Sequence, residues 1–248
     1  MREFNKIFVI ALPRCATVSM CDALGMLGIR TAHLGRIYGS STAEHNDPQR
    51  LKRMLEQIEL RDFSLDILQE CEGLADYPAC IPDVIEALDL EFPGSLFINV
   101  KRDVDRQRWI QSVERQFVGL QLLKSGRVTT TDEKDFMRVV RRFRELTFGQ
   151  AEFDAERYVR AYDDFQATIS SYFKDRANDL LQFDSVQALE SEGFSRLAVF
   201  LQTDKPDSLF PKSNTHSQLP AQRFIQALEA GEIESQTGIV QDRTLEKS

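Results

Sequence analysis

At 248 residues the chain is long enough for one large α/β domain with a full core. Its 42% hydrophobic content is that of an ordinary soluble globular protein. The net charge of −8, from 31 basic and 39 acidic residues, argues against broad nucleic-acid or anionic-membrane binding, though it leaves room for a local basic pocket around one anionic ligand.

The first element is an apolar run, Ile7 to Leu12, that stops at Pro13-Arg14. It is too short for a signal peptide or a membrane span, no later stretch would cross a bilayer, and a cytoplasmic protein is expected. Met20, Ala23, Leu24 and Leu27 then recur at helical spacing, so residues 7–28 read as a buried strand, a tight loop and a helix. A helix N-terminus with free N–H groups is a ready anion site, and Arg14 stands within reach of it. Ile29 to Leu34 reads as a second strand and Gly35 to Asp47 as a polar loop. Pro48 opens a helix capped by Asp47, with Leu51, Met54, Leu55 and Ile58 on one face; Phe63 to Cys71 reads as a further helical stretch. Gly73 to Pro78 is a short strand or turn, Pro82 to Leu88 a helix ended by Phe92-Pro93-Gly94, and Ser95 to Arg102 a strong strand. A helix follows over 105–117. Alternating strands and helices imply a parallel sheet covered on both faces, with ligands at the carboxyl ends of its strands, which puts Arg14 and Arg102 at one edge.

Beyond residue 118 the pattern is mostly helical: 132–148, 153–176, 193–201 and 221–230, with one strand candidate over 179–183. Arg138, Arg141, Arg142 and Arg144 on the first of these admit a phosphate site, but neighbouring acids favour a solvated face. Residues 1–230 read as a single domain, and 231–248 as a polar, poorly ordered tail. None of the four cysteines (Cys15, Cys21, Cys71, Cys80) forms a zinc-type pair. Cys15 lies near a helix start, where a thiolate would be favoured, yet a plain loop residue is the better reading.

Pro13-Arg14-Cys15-Ala16-Thr17-Val18-Ser19 resembles the 5′-phosphosulfate loop of the sulfotransferases, in the branch that reads Leu-Pro-Arg-Thr-Gly-Thr-Ser-Ser. Ala16 replaces that loop's glycine, a substitution compatible with the loop if φ there is negative. Further segments follow the family in order: Asp76-Tyr77-Pro78, Phe92-Pro93-Gly94, Val100-Lys101-Arg102-Asp103, Trp109-Ile110-Gln111-Ser112-Val113, Leu180 to Asp184, Phe194 to Leu201, and Pro206 to Asn214. The resemblance implies a three-layer P-loop NTPase-like sandwich with a central parallel sheet and a largely helical C-terminal half.

It also implies in-line sulfuryl transfer from 3′-phosphoadenosine 5′-phosphosulfate (PAPS) to a small molecule or glycan, with 3′,5′-adenosine bisphosphate leaving and no metal required. Arg14 would stabilise the bridging oxygen. Residues Arg14, Cys15, Ala16, Thr17, Val18 and Ser19 would hold the 5′-phosphate, and Arg102 with Ser112 the 3′-phosphate, aided by Lys212. Arg102 and Ser112 stand ten residues apart, two more than the family's eight, so Arg106 or Arg108 are alternatives to that pairing. Either His33 or Asp76 would be the general base. The acceptor pocket would lie in 33–76 and 115–150. A catalytically degenerate nucleotide-binding protein of the same fold, and a small-molecule kinase, are the competing readings; the kinase would need a Gly-x-x-x-x-Gly-Lys-Ser/Thr loop, which is missing here.

Overall fold

The computed structural model describes residues 1–40, 47–125, 130–213 and 219–239. Among them a six-stranded sheet has the order β3-β2-β4-β1-β5-β6. Its strands are β1 (Ile7–Val9), β2 (Thr31–His33), β3 (Arg36–Tyr38), β4 (Gly73–Ala75), β5 (Leu96–Val100) and β6 (Leu180–Phe183). All neighbours are parallel except β2 and β3. Every residue of β1 and β5 is buried, so both faces of the sheet are covered and the architecture has three layers.

The helices are α1 (Thr17–Met26), α2 (Pro48–Glu59), α3 (Pro82–Glu91), α4 (Arg106–Lys124), α5 (Thr131–Phe148), α6 (Ala155–Tyr172), α7 (Gln187–Leu201) and α8 (Leu219–Glu229). Side-chain caps account for three of their starts. Asp47 accepts from the Gln49 and Arg50 amides at 2.9 and 3.2 Å with Pro48 in the first turn. Thr130 and Glu133 form a capping box at α5, which ends on Gly149 at φ 76°. Asp154 caps α6 through the Arg157 amide.

Three expectations change. Residues 36–38, read as loop, form β3. The connection Leu34-Gly35 has positive φ at both residues, 49° and 80°, which closes a tight two-residue hairpin. The stretch 63–71 is only a 3-10 turn at Asp66–Gln69. The helix after β5 runs to Lys124, because nothing after Phe117 breaks it. Gly119 is its one weak helix former, and there α8 comes so close that a Cβ would lie 1.8 Å from the Pro220 carbonyl oxygen. His45, Asn214, His216 and tail residues 240–248 lie outside the described residues. Within the predicted tail, Ser235 and Thr237 donate their hydroxyls, and Gln236 its amide, to the buried Glu114 carboxylate of α4.

Candidate active site

Four strand ends meet at one edge of the sheet: β1 runs into Pro13-Arg14, β2 ends at His33, β4 hands over to Asp76 and β5 to Arg102. They open on a cleft of about 2240 Å³. The helices α2, α5 and α6 carry side-chain caps; α3, α4 and α7 do not, and α1 starts on Ala16 with no side-chain cap and no acid in its first turn. Its first-turn N–H groups therefore face the cleft without an intrahelical acceptor. Arg14 (φ 69°) and Ala16 (φ 59°) are both left-handed, and this alternation turns the loop back over the helix end. The condition that Ala16 have negative φ is not met: the chain holds an alanine in a glycine conformation.

The start of α4 braces this loop. The Trp109 indole, fully buried, donates to the Pro13 carbonyl at 3.0 Å. One turn on, Ser112 Oγ accepts from Arg14 Nε at 3.0 Å. Residues Asp103–Asp105 form a 3-10 turn before α4 begins, and this takes up the extra residues between Arg102 and Ser112. Arg102 Nη2 donates to the Arg14 carbonyl at 3.3 Å, and Nη1 pairs with Asp105 at 2.7 Å. Arg102 Nε is buried with no partner. The Arg102 amide donates to Tyr162 Oη at 2.7 Å, and that hydroxyl donates to Asp103 at 2.8 Å. Burial lowers the Arg14 pKa; the Asp76 charge opposes this and the Arg102 charge adds to it. Of the alternatives to the Arg102–Ser112 pairing, Arg106 pairs with Asp163 on the surface and Arg108 lines the cleft.

His33 and Asp76, read separately from sequence, belong to one cluster. Thr17 Oγ1 donates to Asp76 Oδ2 at 3.0 Å, and His33 Nε2 lies 3.2 Å from that hydroxyl and 3.4 Å from Asp76 Oδ2. His33, Asp76 and Thr17 are all buried. Asp76 sits at φ 61°, and its Oδ1 accepts from the Tyr77 amide. Ser19 Oγ accepts from the Ser213 amide at 3.0 Å, which ties the Phe210-Pro211-Lys212 segment to α1. Lys212 itself lines the cleft but pairs with Glu190 at 2.9 Å, both largely exposed.

Cys15 is the sequence-selected residue that stays out of the cleft. Its amide donates to the Leu12 carbonyl, its side chain is fully buried, and burial pushes its thiol up to about 12. It is a protonated core residue, not a thiolate. Arg36, Arg115 and Phe117, which fall in the stretches expected to form the acceptor pocket but were not singled out there, line the cleft, as does Tyr77 just beyond them; Arg144, set among solvated arginines, lines it too. Among the described residues no group of three or more His, Cys, Asp or Glu side chains could hold a metal ion, and no helix is long and apolar enough to cross a membrane.

No curated protein matches this chain. Among solved structures, a sulfotransferase from Alicyclobacillus acidocaldarius matches at 13% identity over 94% of each chain, with a TM-score of 0.44. Residues 6–219 match the family described as Sulfotransferase domain, which takes in the anion loop, the paired His33 and Asp76 and the α4 brace, and the chain belongs to that family.

Proposed function

We propose that the protein is a PAPS-dependent sulfotransferase that acts on a hydroxyl or amine of a small molecule or glycan. The observation that carries this reading is the uncapped start of α1 in a cleft lined also by Arg14 and Arg102, which are joined through the Arg14 carbonyl. Residues fit a nucleotide bearing two phosphate groups. The Thr17, Val18 and Ser19 amides suit a 5′-phosphate, and Arg102, with a buried unpartnered Nε, suits a 3′-phosphate together with Ser112. The cleft volume of about 2240 Å³ leaves room for an acceptor beside such a nucleotide.

When bound, the nucleotide supplies the sulfuryl group and leaves as the bisphosphate. Arg14 is held by Ser112 and aimed at the loop, where it neutralises charge growing on the departing oxygen. The acceptor's O–H proton passes to the His33–Asp76 pair as its oxygen bonds to sulfur. Asp76 orients His33 and accepts a hydrogen bond from the Thr17 hydroxyl, so proton acceptance and phosphate contact meet at one residue, Thr17, through its side chain and its amide. The four cysteines are free and buried, which supports a reducing compartment such as the cytoplasm. Ala16 at positive φ favours a second reading, a protein that retains nucleotide binding but not transfer.

Calorimetric titration with 3′,5′-adenosine bisphosphate, ADP and Mg-ATP tests the proposal. Selective binding of the bisphosphate is expected, and a preference for Mg-ATP would overturn it in favour of a kinase. Bisphosphate binding with no transfer to any acceptor in a broad screen would support the second reading.

A further inference from the structure

The four arginines of α5 do not share one environment. Arg138 pairs with Asp135, Arg141 with Glu152, and Arg142 with Glu59 and Glu145, all on the surface. Arg144 is different. Only 4% of it is exposed, its Nε is buried without a hydrogen-bond partner, and no described carboxylate pairs with it. Its guanidinium carbon lies 3.7 Å from the Phe117 ring centroid, and the residue lines the cleft. A cation taken out of water without a counter-ion is costly, and a face-on ring returns only part of that cost.

The surroundings form a wall where the core meets the cleft: Tyr77, Phe117 and Val140 belong to the buried core and also line the cleft. Phe117 and Leu120 of α4 and Phe136 and Val140 of α5 line the same cleft. Tyr77 is stacked on Phe143 with ring centroids 5.5 Å apart. Its hydroxyl and Gln116 Oε1 are buried without partners. Tyr77 directly follows Asp76 in the chain. Arg144, Tyr77, Asp76 and His33 all line this one cleft.

We propose that this wall is the acceptor subsite and that it selects a carboxylate-bearing acceptor with an apolar body, Arg144 acting as the counter-ion. A planar carboxylate matches one guanidinium fork through Nε and Nη, whereas a phosphate dianion would call for a second free cation. Of the α4 cations that line the cleft, Lys124 is already paired with Glu133 and Arg115 gives its Nε to the Gln111 carbonyl. This inference rests on the sulfotransferase reading, because it treats Asp76 and His33 as the reacting end.

The test is calorimetric titration of the full chain, with and without 3′,5′-adenosine bisphosphate, using 4-hydroxyphenylacetate, 4-hydroxybenzoate and hexanoate beside their primary amides. At least one acid is expected to bind about tenfold or more tightly than its amide. Arg144→Met should erase that preference and melt no lower than the parent, since it removes a buried unpaired charge. Arg144→Lys should retain only part of the preference. If no acid outbinds its amide, or if Arg144→Met keeps the preference, the proposal is overturned; a variant that fails to fold leaves the acid–amide comparison in the parent to decide. Acid selectivity without bisphosphate binding would sink the sulfotransferase reading and spare the subsite, and the reverse would sink the subsite alone.

Discussion

Replacing Ala16 with glycine should stabilise this protein, the opposite of what glycine does in most places. Ala16 stands at φ 59° and ψ 28° as the residue that starts α1. An L-residue with a Cβ pays about 1–2 kcal/mol in this left-handed region. Glycine removes that strain but makes the unfolded chain freer, at a cost of about 0.4–1 kcal/mol. The net gain is about 0.5–1 kcal/mol, or roughly 1–4 °C in Tm for a chain of this size. Ala161→Gly, inside α6 with ordinary helical geometry, is the control and should lose about 1 kcal/mol. Urea unfolding of both variants beside the parent reads the two signs directly. Bisphosphate affinity in Ala16→Gly should stay within about twofold of the parent, because the loop already holds the glycine conformation. If Ala16→Gly is destabilised like the control, the left-handed turn is not there and the account of the anion loop fails. A large gain in affinity would mean instead that alanine had disabled the loop.

Trp109→Phe keeps the ring packed but orphans the buried Pro13 carbonyl, so it should cost about 1–3 kcal/mol and weaken bisphosphate binding; unchanged stability would show that the indole does not brace the loop. Asp76→Asn and His33→Gln should each lower kcat by about 100-fold or more, and the variant lacking the proton acceptor should lose the acidic limb of the pH–rate profile. A normal limb in both variants would remove the pair from proton transfer. Burial raises the thiols of Cys15 and Cys21 to about 12 and of Cys71 to about 11, from an ordinary 9.0. The folded state thus holds these protons more tightly than the unfolded one. Their contribution is complete below pH 9 and is lost as pH rises toward 12, so urea midpoints should fall between pH 8.5 and 10.5, and by less in Cys15→Ala. Equal falls in parent and variant would show that Cys15 does not titrate with unfolding.

Much of the fold was legible because it rests on local rules. The apolar runs of β1 and β5 are buried on both faces, Asp47-Pro48 caps α2, and the ordered motifs from Ile7 to Phe210 mark one family. β3 was hidden because three residues carry no periodicity, and Gly35 was its one cue. The candidate residues Arg14, Thr17, Ser19, Arg102 and Ser112, which line one cleft, were legible as types at a spacing. Their partnerships were not. That His33 and Asp76 share the Thr17 hydroxyl, and that Ser112 supports Arg14, follows from strand order and the docking of α4, which join residues 16 to 98 positions apart. Arg144 shows the limit most clearly. Its neighbours in sequence place it on a solvated face, and Arg138, Arg141 and Arg142 do lie there. Helical rotation instead turns Arg144 toward Phe117 of α4, and burial there is a property of two packed helices, which neither helix's sequence records alone.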